Sequence, residues 1–488
     1  MRRRRLLRLP LALPFLGGGL VFLPGCPGEC VGADCGDAYT ASRLTLKRGR
    51  RDSLGDREQS ALDGVFSVVG SDAQGKEWSA ILESGQIVVG LPEVDQVYSF
   101  GGTQRGDLSF SSALAVGENL LTGEGSGDRF GASLARVSTG TAADLWVGAP
   151  ARQGPGTEAG AGAVYRFSGI GDGWDGEKSA DEAILRILSE HSLDRLGERM
   201  AACGDLDGDG AAELLLGAPW DDESAKLAGR AYLVRSSNLA NYQREILSGE
   251  LDDAWSGDSE GAQLGRVLAC ADDLDGDGIA DPVLGAPFSS AVNRSGAGAI
   301  YALSGASLPG SSRVDTAADW LVRGPSPEDY LGWAVATGDM DGDGYPELAI
   351  GAPGSSGGEG QVQLIQGSKL IQDDLRPRAR VLGESASDRL GQALAIADLD
   401  GDGFGDLAVG APRSNPTGQD SRFDAGIVLL FAGESGLSEW SVSRHSADAD
   451  GLILGDEQFL RAGAFIQTAD WDDDGRDDML LLLSVQPP

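Results

Sequence analysis

Five short segments of this chain set carboxylates at positions one, three, five and nine of an acidic loop. They are Asp205, Asp207, Asp209 and Glu213; Asp273, Asp275, Asp277 and Asp281; Asp339, Asp341, Asp343 and Glu347; Asp398, Asp400, Asp402 and Asp406; and Asp470, Asp472, Asp474 and Asp478. Glycine stands at position six of each, as at Gly210 and Gly278, where it permits a sharp bend that turns alternate carboxylates toward one point. The carbonyls of the seventh residues, Ala211, Ile279, Tyr345, Phe404 and Arg476, are expected to complete the shell. Hard oxygen donors in this number suit Ca2+ better than zinc or copper, so the expectation is about five calcium sites. Without an ion, four carboxylates per loop repel one another, which couples metal binding to folding.

A helical calcium loop of the EF-hand type needs a bidentate Glu at position twelve and a helix on each side. Here position twelve is apolar or Gly, as at Leu216 and Leu284, and a short β-rich run follows. Each loop therefore joins two strands. A duplicated dockerin uses similar loops, but not five copies at this spacing.

The loops sit inside a repeat. RLGERMAACGDLDGDGAAELLLGAP from Arg195, QLGRVLACADDLDGDGIADPVLGAP from Gln263, YLGWAVATGDMDGDGYPELAIGAP from Tyr330 and RLGQALAIADLDGDGFGDLAVGAP from Arg389 are copies of one segment. A copy from Arg461 keeps the acidic loop and loses Gly-Ala-Pro, and one from Arg129 keeps the ending and loses the loop. The weakest runs from Leu54 and Gly55 to Val88–Pro92, giving seven repeats in all. The period, about 60 to 70 residues, fits a four-stranded unit and is too long for a leucine-rich or hexapeptide solenoid. Between copies recur short runs such as AGAVYRFSG at Ala161 and GAGAIYALSG at Gly296, followed by a further strand such as the one from Arg380. The fold expected is all-β: a seven-bladed β-propeller of four-stranded blades. The last copy stops at Leu483, so the N-terminal run Arg43–Gly55 is expected to supply the strand that completes the last blade.

The composition agrees. In 488 residues there are 74 Gly and 20 Pro with 6% aromatics, the profile of many short strands and tight turns. A net charge of −36 disfavours nucleic acid and anionic lipid surfaces and favours a cation, while 41% hydrophobic residues suffice for a core. At the N-terminus, Arg2 to Arg5 precede a largely apolar stretch, Leu6–Leu23, that ends in Leu-Pro-Gly-Cys, Leu23–Cys26. This resembles a bacterial lipobox, although Pro24 stands where a small residue is usual. It implies a signal peptide over 1–25, diacylation of Cys26, a tether over 26–42 and a propeller over 43–488. Pro10, Pro14 and Pro24 with Gly17 to Gly19 make a poor membrane-spanning helix. Cys30 and Cys35 could close a small loop in an oxidising compartment, and Cys203 and Cys270, at nearly equivalent places in neighbouring repeats, either pair or serve as small buried residues.

These copies resemble FG-GAP repeats, and the whole resembles the propeller head of integrin α subunits. Arg129-Phe130-Gly131 and Val147-Gly148-Ala149-Pro150 match the two name-giving ends, with Leu-Gly replacing Phe-Gly elsewhere. The resemblance spans roughly Leu44 to Leu483. It implies calcium loops on one face and ligand-binding loops on the opposite face. With no inserted von Willebrand-type domain evident, integrin-style heterodimerisation is not expected and the chain is read as a monomer. Some phospholipases carry such repeats beside a zinc domain, but His191 and His445 are too few for a His-rich zinc centre, and no nucleophile elbow is evident. The carboxylate pairs are accounted for by calcium. Arg105-Gly106-Asp107 is read as an ordinary loop tripeptide. Trp174, Trp220, Trp255 and Tyr330 lie in connecting segments and either line a ligand surface or pack between blades. The expected function is a non-catalytic protein- or glycan-binding module, held at the outer membrane or cell surface by its lipid. The alternatives are a scaffold subunit of an envelope complex and a carboxylate-based hydrolase.

Overall fold

A computed structural model describes residues 7–8, 46–48, 65–70, 79–83, 86–101, 119–138, 143–154, 159–170, 174, 176–251, 253–291, 293–367, 377–415, 424–440, 443–445, 448–455, 461–470 and 475–484. Of the expected signal peptide only Leu7–Arg8 is described, as an edge strand parallel to Ile453 and Leu454; Cys26, Cys30, Cys35 and the Arg105-Gly106-Asp107 tripeptide lie outside the described residues. Among the described residues the protein is all-β apart from single helical turns, and no helix is long and apolar enough to cross a membrane.

The strands form seven sheets among the described residues. Six are antiparallel meanders in chain order. The repeat from Tyr330 is representative: Ala334–Gly338, Glu347–Ala352, Gln361–Ile365 and Ala379–Leu382, with Val335 opposite Ile350 and Gly351 opposite Val362. The second strand, which carries Gly-Ala-Pro at its end, is buried along its whole length in each complete repeat, as in Ala143–Ala149 and Asp281–Ala286. Burial on both faces explains why these segments read as continuous apolar runs rather than alternating ones.

Alternate side chains of a strand point to opposite faces, and each face has its own neighbour. Leu215, Leu233 and Trp255 pack with Leu284, Ala299 and Tyr301 of the following sheet. Leu214, Leu216, Tyr232 and Val234 pack with Trp146, Val164 and Ile187 of the preceding one. The core is thus a series of layers between successive sheets, and fully burying each Leu contributes about 1.5–3 kcal/mol. First strands also touch in chain order: Ser79–Glu83, Ser133–Ser138, Arg199–Ala202, Val267–Ala271, Ala334–Gly338, Ala393–Ala397 and Ile466–Ala469. Ile466–Ala469 lies in turn against Ser79–Glu83. At the outer edges, strands such as Glu177–Ser179 and Glu245–Leu247 pair in parallel with the last strand of the preceding sheet.

The seventh sheet differs from expectation. One N-terminal strand was expected there, but two are present, in the order Leu46–Arg48, Val65–Gly70, Asp478–Ser484, Ile466–Ala469. Val65–Gly70 runs parallel to Asp478–Ser484. An apolar run such as Val-Phe-Ser-Val-Val signals a strand but not its partner, so sequence assigned the wrong segment to the direct contact.

Cys203 and Cys270 form a disulfide between successive repeats, with Cα atoms 5.3 Å apart. Of the aromatics, Trp255 lies in the strand Asp253–Ser256 and is fully buried, its indole N–H donating to Pro309 O at 3.3 Å, and Trp174 is also buried. These two pack between sheets. Trp220 and Tyr330 are half-buried.

Candidate metal centres

Each acidic loop joins the first strand of a sheet to the second. Position one follows the first strand, and position nine, at Glu213, Asp281, Glu347 and Asp406, stands at or beside the start of the buried second strand. Leu-Gly and Gly-Ala-Pro sit at the other end of the same two strands, so the loops and the repeat signature occupy opposite ends of each sheet.

The loops share one hydrogen-bond scheme. The carboxylate at position one accepts from the amides of positions four and six: Gly208 N and Gly210 N to Asp205 at 2.6 and 2.9 Å, Gly276 N and Gly278 N to Asp273 at 2.6 and 2.8 Å, and likewise at Asp339 and Asp398. These bonds, that from Gly210 foremost, hold the Asp205 carboxyl below its ordinary range. The position-nine carboxylate accepts from the amide of position two, from Leu206 N at 2.5 Å, Leu274 N at 2.7 Å, Met340 N at 2.7 Å and Leu399 N at 3.1 Å. A loop folded about its own first and ninth residues is therefore encoded by their spacing alone.

One ligand atom from each of positions one, three and nine falls within 4.8 Å of the others in four loops: Asp205, Asp207 and Glu213; Asp273, Asp275 and Asp281; Asp339, Asp341 and Glu347; Asp398, Asp400 and Asp406. The position-five carboxylates are not part of these groups. Asp209, Asp277, Asp343 and Asp402 each accept from the amide of position seven, Ala211, Ile279, Tyr345 and Phe404, at 2.9 to 3.1 Å. In the fifth loop Asp472 and Asp474 lie outside the described residues; Gly475 N donates to Asp470 at 3.0 Å, and Asp478, itself buried, opens the strand Asp478–Ser484.

Position nine carries the electrostatic cost. Glu213, Asp281 and Glu347 are wholly buried and Asp406 nearly so. Burial, reinforced by neighbouring loop carboxylates, pushes the Glu347 carboxyl up to about 8 and those of Asp281 and Asp406 up to about 7; Glu213 is raised also. In three loops the second oxygen finds a donor from the turn after the third strand: Ser236 to Glu213, Gly305 N to Asp281 at 2.9 Å and Gly433 N to Asp406 at 3.0 Å. Glu347 Oε1 is buried with no hydrogen-bond partner. A hard cation between positions one, three and nine would satisfy that oxygen and offset the repulsion, so the donor set fits a metal ion.

Sequence reasoning missed the residues that reach the loops from that later turn. Ser237 Oγ donates to Asp207 at 2.7 Å, Ser304 Oγ to Asp277 at 3.2 Å and Gln366 Nε2 to Asp341 at 2.8 Å. Their signal was present: the second recurring run ends in Ser-Ser, Ser-Gly or Gln-Gly at a similar distance after each loop.

The FG-GAP repeat profile matches residues 196–234, 265–303, 331–365 and 390–431. Among curated proteins, the phosphatidylinositol-glycan-specific phospholipase D of Rattus norvegicus is 34% identical over 205 residues, 41% of this chain and 24% of that protein. Integrin alpha-V of Gallus gallus is 31% identical over 275 residues, 54% of this chain and 24% of that protein. Integrin alpha-PS2 of Drosophila melanogaster is 32% identical over 135 residues, 26% of this chain and 9% of that protein. The match thus spans about a quarter or less of the length of these relatives.

Proposed function

We propose, for a chain that carries four FG-GAP repeats and is similar to integrin α subunits, that the seven sheets are the blades of a calcium-stabilised β-propeller acting as a non-catalytic binding module at the cell envelope. The observation that carries this reading is the fourfold recurrence of one acidic cluster at the same end of successive sheets. A reaction centre is a single constellation, whereas these groups repeat with the fold and serve to hold strands together. The cyclic neighbourhood of the first strands supports closure into a disc, with strands from both chain ends in the seventh sheet. Calcium is the ion that this oxygen set favours, including the fifth loop at Asp470 and Asp478.

A rigid disc leaves recognition to its connecting loops. With one end of each sheet given to metal, the opposite end, around Leu-Gly and Gly-Ala-Pro, is the surface for a protein or glycan ligand. The Leu23–Cys26 motif supports export and lipid anchoring through Cys26. The relatives include an enzyme named a phospholipase D, but the shared part is 24% of it, and its activity is not carried over.

Cys26→Ser and protease treatment of intact expressing cells test this. Release of the variant from membranes, with cleavage of the wild-type chain from outside, supports a displayed binding module. Membrane retention of Cys26→Ser, or complete protection of the wild type in intact cells, contradicts it.

A further inference from the structure

Repeats that keep their strands and change their loops mark where a disc does something specific, and the repeat from Tyr330 keeps both its acidic loop and Gly-Ala-Pro while changing the residues around them. At the residue before Leu-Gly, Phe-Gly or Ala-Gly, four repeats carry Arg: Arg129, Arg195, Arg389 and Arg461. The repeat between those of Gln263 and Arg389 carries Tyr330, and after its Leu-Gly it carries Trp333 where others have Glu198 and Gln392. After Gly-Ala-Pro it has Gly354, where the two preceding repeats have Trp220 and Phe288. A Cβ at position 354 would clash with Glu328 O and Tyr330 Cδ2, so the absence of a side chain there leaves room. The outcome is a cavity of about 410 Å3, opposite the acidic loops, lined by Phe288, Tyr330, Trp333, Gly354, Glu328 and Arg389 among others.

The walls are aromatic. Phe288, Tyr330 and Trp333 meet edge to face, with centroids 5.5 to 6.3 Å apart. The charged groups are unusual in what they lack. Arg195, at the equivalent position of an earlier repeat, stacks its guanidinium 3.5 Å from the Trp220 ring and pairs with Glu198. Arg389 has neither: its own repeat offers Arg413 after Gly-Ala-Pro, and among the described residues no carboxylate pairs with its side chain. Burial and the nearby Arg413 and Arg461 disfavour its charge, partly offset by Tyr330 and Asp424. Three arginines, Arg389, Arg413 and Arg461, thus come together in a chain of net charge −36, with Arg389 at the cavity wall.

We propose that this cavity binds an acidic sugar residue of a glycan, its ring against Tyr330 and Trp333 and its carboxylate on Arg389. The inference rests on the reading of this end of the sheets as a ligand surface. A peptide anchor of hot-spot type is buried in a dry pocket. Here the aromatics and Arg389 are half-buried, and Glu328 and Gly357 are exposed. That suits a ligand with apolar C–H faces and a polar edge all round. The volume is at the small end of ligand sites, enough for one or two sugar rings. Arg389 forms the two-pronged contact with carboxylate that guanidinium favours, and Glu328 accepts hydroxyls.

The test is binding of the full calcium-loaded chain to a uronic-acid oligosaccharide and its neutral counterpart, with Trp333→Ala and Arg389→Gln beside wild type and circular dichroism to check folding. Expected are saturable binding of the acidic oligosaccharide, at least tenfold weaker binding of the neutral one, and at least tenfold loss in each folded variant. Equal binding of both sugars, or acidic binding that survives both substitutions, overturns the inference and leaves the general ligand-surface reading standing. No glycan binding, with an acidic peptide bound and lost in Arg389→Gln, overturns the sugar assignment in favour of a protein ligand. Failure of glycans and peptides alike counts against both readings.

Discussion

Gly148, at the end of one repeat, packs backbone to backbone against Gly197, just after the Leu of the next. A Cβ at Gly148 would clash with Gly197 O and Ser133 Oγ, and Gly197 N in turn donates to Gly217 O at 3.0 Å. The same approach recurs at Gly90 and Gly131, Gly217 and Gly265, Gly351 and Gly391, and Gly410 and Gly463. The two glycines that define the repeat are therefore one contact between successive sheets, seen from its two sides.

Gly148→Ala should destabilise the fold by roughly 2–4 kcal/mol, because the contacted atom is backbone and has no rotamer to yield. Calcium-saturated thermal unfolding measures it. Gly169→Ala is the control for open space, its positive φ costing about 1 kcal/mol; equal losses in the two variants would contradict the packing argument.

Glu347→Gln should remove one calcium site. The amide keeps the shape but lacks the charge, and Asp339 and Asp341 remain without their buried partner. Metal counting should fall by one ion per chain while the other loops stay filled. An unchanged count would show that this loop holds no ion.

The metal-free and metal-loaded proteins should respond to pH in opposite directions. Without calcium, Asp281, Glu347 and Asp406 have carboxyls raised to about 7, 8 and 7. Between the ordinary carboxyl range and these values the folded chain holds protons that the unfolded chain has released. Its stability therefore falls as pH rises from 5 to 8, by up to about 1.4 kcal/mol per pH unit for each proton. With calcium bound these carboxylates are ionised, protons compete with the ion, and the calcium-dependent stability is lost as pH falls. Urea unfolding at pH 5, 6.5 and 8 in calcium and in chelator gives both slopes, and parallel slopes would contradict the ligand assignment.

Reduction of Cys203–Cys270, or Cys203→Ser with Cys270→Ser, should cost about 2–5 kcal/mol, since the link closes a loop of 67 residues in the unfolded chain. Non-reducing peptide mapping identifies the pair, and free thiols at both positions would contradict it.

The acidic clusters were legible because their carboxylates are local: nine residues carry both the carboxylates and the amides that orient them. The relation of Cys203 to Cys270 was not, since spacing cannot distinguish a bond from two buried thiols, and only the stacking of successive sheets brings their Cα atoms to 5.3 Å. Trp255 was misleading for a related reason. Its neighbours Asp252, Asp253, Ser256 and Gly257 read as a connection, yet in the strand its ring points inward to Leu215 and Leu233. The cavity at Trp333 was beyond sequence because Phe288, Tyr330 and Arg389 come from three repeats. That Gly354 replaces Trp220 and Phe288 can be read from the repeats, but that it lies against Tyr330 follows only from the stacking of the sheets.

The central claim, that acidic loops bind calcium and hold the sheets together, is tested most directly by thermal unfolding of the full chain with calcium and after chelation, alongside metal counting. The expected result is a large calcium-dependent rise in Tm with at least four ions bound, one for each described cluster. An unchanged Tm with no bound calcium would contradict it.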